Sequence, residues 1–222
     1  SDDITRAVLT EGATTEIVET ANLTGLFSFS VTGAGGVARL SGDGLVAAAG
    51  GFDYRVYRDN GGTWSQIYHG SESGEWLGNG VALSANGDTL FLVSHNYAGG
   101  YLRLTYRLAD LTQGIELKRI TTQGAGTFQD TVQRAEMSAD GRVMAVVSWG
   151  TQNMVHPQTQ VFDRQLNRIG GVTSPGSPFD LDMERSGEYL LVGCKHVHAN
   201  SFGNGGDIYS YALPIVVVGD LN

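Results

Sequence analysis

The chain has 222 residues, a formal net charge of −9, 41% hydrophobic and only 17% charged residues, with 32 glycines against 4 prolines. So acidic a chain lacks the clustered Lys and Arg that nucleic-acid binding by counterion release requires, and it is repelled by anionic membrane surfaces. One cysteine, Cys194, excludes an intrachain disulfide, and the longest purely apolar run, Ile215-Val-Val-Val218, is far too short to span a membrane as a helix.

In chain order, helical periodicity is nearly absent, and the apolar residues alternate or form short blocks rich in β-branched and aromatic types. Residues 1–33 read as three strands, Ala7-Val-Leu9, Thr15-Glu-Ile-Val-Glu19 and Leu26 to Val31. The next unit reads Val37 to Ser41, a Gly-Asp-Gly turn, Leu45 to Gly50, then Tyr54 to Arg58, an Asn60-Gly-Gly62 turn and Trp64 to Tyr68. Alternation puts Arg55 and Tyr57 on one side of that third strand and Val56 and Arg58 on the other. The order recurs as Val81 to Ser84, Thr89 to Ser94, Tyr101 to Tyr106 and Ile115 to Ile120. It recurs again as Ala135 to Met137, Arg142 to Ser148, Thr159 to Phe162 and Arg168-Ile169. The last unit offers Leu181 to Met183, Glu188 to Cys194, Asp207 to Leu213 and Ile215 to Gly219.

Four phrases mark the same point of each unit: Leu40-Ser-Gly-Asp-Gly44, Leu83-Ser-Ala-Asn-Gly87, Met137-Ser-Ala-Asp-Gly141 and Met183-Glu-Arg-Ser-Gly187. Their glycines are 43, 54 and 46 residues apart. Self-similarity at such a period marks a radial or stacked repeat. The expected fold is a single all-β domain over 1–222, a β-propeller of four-stranded antiparallel blades. Its repeats lie at about 36–70, 80–120, 133–172 and 180–219. Residues 1–33 supply a divergent partial or closing blade, so that four or five blades close into a ring or form an open part of a larger one. Asp43, Asp88 and Asp140 are read as two-residue hairpin turns, where Asp, Asn and Gly tolerate the backbone required.

Several stretches resemble FG-GAP-like propeller repeats: Gly62-Thr-Trp64-Ser-Gln66, Leu77 to Asp88 followed by Leu92-Val93, and Gly193 with Gly206-Asp-Ile-Tyr-Ser-Tyr211. The serine-Asp-Gly turn is shared with WD40 and YncE-like propellers. The resemblance implies a binding or adhesion propeller outside the cell. Two family features are missing: the Asp-rich calcium loop of integrin-type repeats, and the Gly-His and Trp-Asp pairs of WD40 blades. Val218-Gly-Asp-Leu-Asn222 looks like the start of a dockerin-type or EF-hand-like module, with Asp220 and Asn222 as its first calcium ligands. Calcium enters only if such a module follows. The chain starts at Ser1 without methionine, which reads as a processed or shortened product.

In a propeller, the loops joining second to third strands share a face with the loops joining blades. All five histidines and two of the three tryptophans map to that face, which makes it the candidate binding surface. Trp76, His95, Tyr97, Trp149 and His156 are the candidate ligand contacts, for a protein or glycan partner. In Cys194-Lys-His196-Val-His198 the thiol and imidazoles fall on one side of an extended strand, and His196 and His198 are the candidate ligands for zinc or copper. The competing reading makes Cys194 a core residue and the histidines part of a loop. Glu72 and Glu75 beside Trp76 fit sugar chemistry or a solvated loop. Ser94 and Ser148 are strand-end hydrogen-bonding residues rather than nucleophiles, and no G-x-S-x-G elbow exists. The expectation is a non-enzymatic, secreted or cell-surface binding propeller without a resident cofactor. The alternatives are a metal-dependent or glycan-active enzyme, and a structural subunit that completes a propeller with another chain.

Overall fold

A computed structural model describes residues 5–33, 36–71, 74–77, 79–98, 101–123, 131–149, 157–196 and 205–213. These residues form five antiparallel sheets, each a simple up-and-down meander. The first sheet is β1 (Arg6–Glu11), β2 (Thr14–Glu19) and β3 (Gly25–Ser30). The second is β4 (Val37–Leu40), β5 (Val46–Gly50), β6 (Asp53–Asp59) and β7 (Trp64–Ser71). The third is β8 (Val81–Leu83), β9 (Thr89–Ala98), β10 (Tyr101–Asp110) and β11 (Ile115–Gln123). The fourth is β12 (Val132–Met137), β13 (Val143–Ser148), β14 (Thr159–Asp163) and β15 (Arg168–Val172). The fifth is β16 (Ser177–Met183), β17 (Tyr189–Lys195) and β18 (Gly206–Ala212). The strand expected at Ile215 to Gly219 lies outside the described residues.

The first strands of the sheets neighbour one another in chain order: β1 on β4, β4 on β8, β8 on β12 and β12 on β16. The repeated phrases explain how. In each, the serine or its stand-in closes a tight turn. Ser138 Oγ donates to Asp140 Oδ1 at 2.7 Å and accepts from the Val143 amide at 3.0 Å, and Ser41 and Ser84 repeat this pattern. Gly44, Gly87, Gly141 and Gly187 all take φ between 68° and 78°, the left-handed region that disfavours any residue with a Cβ. The turns then link to each other through main chain alone. The Asp43 amide donates to the Ala85 carbonyl at 3.2 Å, Ala85 to Ala139 at 2.9 Å, and Ala139 to Arg185 at 2.8 Å. Leu40, Leu83, Met137 and Met183, with the residues that follow them in each turn, surround one cavity of about 230 Å³. The turns are longer than the two-residue type expected, because Ser and Gly both belong to them. Asp43 and Asp140 sit inside; Asp88 follows its glycine and ion-pairs with Arg58 at 3.1 Å.

Four apolar layers lie between the five sheets. Ile17 and Phe29 meet Ala47 and Ala49 between the first and second. Val46, Ala48 and Val56 meet Leu90 and Leu92 between the second and third. Phe91, Val93 and Tyr106 meet Met144, Val146 and Phe162 between the third and fourth. Ala145, Val147 and Val161 meet Leu190, Val192 and Cys194 between the fourth and fifth. Side chains alternate across a strand, so a strand buried on both faces must be apolar at every position. That is why Leu90-Phe-Leu-Val93 and Val143-Met-Ala-Val-Val147 are continuous hydrophobic runs. At the two ends of the series the outer faces stand in solvent: Leu9 on β1 is 48% exposed and Ile208 on β18 is 79% exposed. Ring closure by the first and fifth sheets is therefore not displayed among the described residues.

Candidate functional site

The ends of the sheets opposite the linked turns carry the connections β5–β6, β9–β10, β13–β14 and β17–β18, together with the links from one sheet to the next. In the first three sheets these ends are tied by main-chain bonds. Phe52 donates to Thr32 at 2.8 Å, Leu77 to Gly51 at 2.9 Å, and Trp76 and His95 exchange two bonds at 2.8 and 2.9 Å. The expected contacts Trp76 and His95 are thus brought together. Phe52, which fills a two-residue connection and is 49% exposed, packs edge-on against half-buried Trp76, ring centroids 4.9 Å apart. Gly33 lies beneath both rings with φ +92°, and a Cβ there would run into the Phe52 ring at 2.6 Å.

Glu75, read from the sequence as a candidate carboxylate or solvated loop residue, is neither free nor solvated. It is buried, and Arg107 on β10, only 1% exposed, donates to its Oε2 at 2.6 Å. Ser94 Oγ donates to the same oxygen at 2.5 Å, Thr105 Oγ1 to Oε1 at 3.2 Å, and Arg107 also reaches Ser94 Oγ at 2.8 Å. Burial alone would push the Glu75 carboxyl up. The Ser94 and Arg107 hydrogen bonds and the Arg107 charge outweigh it and hold the carboxyl below the usual range. Every strong interaction of this carboxylate is spent internally, so it locks the Trp76 backbone in place rather than offering a proton acceptor to a ligand.

His95 is 6% exposed. Burial pushes its pKa down to about 4, with the nearby Glu75 charge opposing only in part. The imidazole is neutral at pH 7. Since the folded pKa lies below the unfolded value near 6.5, the unfolded state takes up the proton first. His95 thus contributes stability above about pH 6.5 and loses it as pH falls toward 4, in total on the order of 3 kcal/mol. Melts of wild type and His95→Gln across that window check this: the variant is expected to lose less stability on acidification. In the wild type the NMR titration midpoint of His95 is expected at about 4, from the same burial.

Trp149 stands at the position of the fourth sheet equivalent to Phe52 in the second. It packs on Phe179 at 5.6 Å, and its carbonyl accepts from Ser177 Oγ at 3.0 Å and Gln158 Nε2 at 3.3 Å. Gln158 is fully buried and also accepts from the Ser174 amide at 2.9 Å. The two aromatic pairs therefore occupy the same kind of junction, second-to-third and fourth-to-fifth. Tyr97 lies in β9, paired with Leu102, and its side chain is outside the described residues. His156, His198 and Glu72 lie outside them altogether.

The candidate metal pair is only half visible. Cys194 faces the layer between the fourth and fifth sheets, where burial pushes its thiol up. His196 sits just beyond β17 with its Nε2 2.6 Å from Asp207 Oδ2, and that imidazole holds the Asp207 carboxyl below its usual range. Among the described residues no three His, Cys, Asp or Glu side chains gather as a metal cluster. His69 is exposed on β7 opposite Arg55. The functional partners missed from the sequence are Arg107 and Asp207. Arg107 alone left a signal, as a cation set between apolar Tyr106 and Leu108-Ala109.

No protein-family model and no curated protein matches the chain. Among solved structures, Kuenenia stuttgartiensis hydrazine synthase is similar, with a TM-score of 0.63 at 15% identity over 86% of this chain and 59% of that one. The chain spans less than two thirds of that protein's length, and the likeness is one of fold.

Proposed function

We propose that the five sheets are blades of a β-propeller and that the chain is a non-enzymatic binding module of a secreted or cell-surface protein. It recognises a protein or glycan through the loop end that carries Phe52, Trp76, His95 and Trp149. The blade reading is supported by the shared axial cavity and by the chain-order neighbouring of first strands. The binding reading rests on one observation: a half-exposed aromatic pair, Phe52 and Trp76, held on a backbone that a buried Glu75–Arg107 pair makes rigid. Preordered aromatic surface binds with little entropic cost, whether to a sugar ring or to a protein side chain. Glu75 is consumed by Arg107 and Ser94, which disfavours the glycan-active alternative.

The test is binding of the wild type and of Phe52→Ala to a glycan array and to immobilised extracellular proteins, with melting curves for both proteins. Phe52 is exposed enough that its loss is expected to leave folding intact. Binding by one ligand class, weakened about tenfold or more in the variant, is the expected result, equivalent to about 1.4 kcal/mol. Binding that ignores the substitution would remove this face from consideration.

A further inference from the structure

The first sheet is out of step with the other four. In those, the first strand runs toward the linked turns and the second runs away from them. β1 instead starts at the turns, where Arg6 Nη1 donates to the Gly44 carbonyl at 3.0 Å and ion-pairs with Asp59 at 2.9 Å. β3 finishes at the opposite end, where the Thr32 carbonyl accepts from the Phe52 amide at 2.8 Å. β1, β2 and β3 therefore run as the second, third and fourth strands of a unit. Their connections agree. The Thr20 amide donates to the Thr5 carbonyl at 3.0 Å, as the Asp59 amide does to Leu45 at 2.8 Å. Leu23, between β2 and β3, takes φ 57°, as Leu166 takes 54° and Gly114 takes 67° between the third and fourth strands of their sheets. β4 packs on β1 as β8 packs on β5, β12 on β9 and β16 on β13. The strand this sheet lacks is the inner one. Its place lies along the edge of β1 away from β2, where no strand pairs among the described residues.

We propose that this edge is a binding site for an extended peptide, which adds to β1 as an antiparallel inner strand. Antiparallel alternation turns the main chain of Ala7, Leu9 and Glu11 toward β2, and that of Val8 and Thr10 toward the incoming strand. Arg6-Ala-Val-Leu-Thr-Glu11 holds neither proline nor lysine, residues that commonly guard an open edge. The four inner strands state what fits there. They end Ala38-Arg-Leu40, Val81-Ala-Leu83, Ala135-Glu-Met137 and Leu181-Asp-Met183. In each the first of these residues is buried, the middle one varies, and the leucine or methionine lines the axial cavity. The ligand is accordingly a segment with an apolar residue two places ahead of Leu or Met, held otherwise by its main chain. The site is separate from the aromatic loops and does not rest on the reading given to them.

Amide hydrogen exchange followed by NMR on the full chain tests this, with a synthetic peptide of the Thr131–Ser138 sequence as the probe. Without peptide, the Val8 and Thr10 amides are expected to exchange at least about tenfold faster than those of Ala7 and Leu9. Added peptide is expected to slow Val8 and Thr10 by at least about tenfold. The same peptide N-methylated at its Glu136 position, which in β12 pairs with the second strand, is expected to do nothing. Thr10→Pro removes a donor that faces away from β2, so it is expected to abolish the peptide's effect while melting close to the wild type. Val8 and Thr10 amides already as slow as Leu9 before any addition overturn the proposal, since the edge is then covered. So does a peptide without effect, or an equal effect of the N-methylated one. Protection that appears only when the eight residues are fused ahead of Ser1 also overturns it and assigns the place to a strand of the same chain.

Discussion

Replacing Arg107 with methionine is expected to cost about 3–5 kcal/mol of folding stability at pH 7, the range for leaving one partner of a buried ion pair alone. Arg107 is 1% exposed and bonds both Glu75 and Ser94, so methionine restores apolar volume but strands the carboxylate. The pH dependence identifies the mechanism. In the wild type the Glu75 carboxyl is held below its unfolded value, so its contribution is complete above about pH 5 and fades as pH falls through the folded value. In Arg107→Met the burial that favours the neutral acid has lost its main opponent, and Glu75 takes up a proton at higher pH. The gap between variant and wild type is therefore expected to narrow on acidification. Denaturant titrations at pH 7 and pH 4.5 measure it; a gap that stays constant would mean that lost packing, not the stranded charge, carries the cost. Glu75→Leu combined with Arg107→Met is expected to recover much of the loss, because an apolar pair removes both desolvation penalties.

Phe91→Ala and Leu191→Ala change the same repeat position, four residues after the turn glycine, with opposite expected results. Phe91 is fully buried against the fourth sheet, near Phe162 at 6.3 Å, and its truncation is expected to cost about 3–5 kcal/mol. Leu191, half exposed, is expected to cost no more than about 0.5 kcal/mol. Chemical denaturation of the two variants gives both numbers. Equal costs would mean that the fifth sheet's outer face is covered within one chain, which would contradict the open face described above.

These two comparisons also mark how far the sequence could be read. The four glycine phrases located the turns because Gly44, Gly87, Gly141 and Gly187 answer to a local backbone requirement that leaves a local trace. Strand positions followed from alternation and from doubly buried runs, and three of the four-stranded units emerged as read. The first unit emerged as a separate three-stranded sheet. The partner of Glu75 was not legible: Arg107 is 32 residues away, and only the third sheet's register brings it there. Trp76 and His95 were assigned to one end of the molecule, yet their mutual bridge depends on how far β9 runs past Ser94, which no local signal fixes. Cys194 was divided between core and metal ligand. Its layer between the fourth and fifth sheets decides for core, since strand alternation puts it on the row of Leu190 and Val192.

The hydrogen-bond relay that runs from Asp43 through Ala85 and Ala139 to Arg185 uses no side chain. A joint made of amides and carbonyls is indifferent to what its neighbours become by mutation. The fourth phrase has already exchanged serine for Glu184 and alanine for Arg185, and it still accepts the bond from Ala139. Such a chassis lets units be duplicated, lost or exchanged without rewriting this joint, leaving the apolar layers and side-chain ties such as Arg58–Asp88 and Arg6–Asp59 as the parts that must co-adapt.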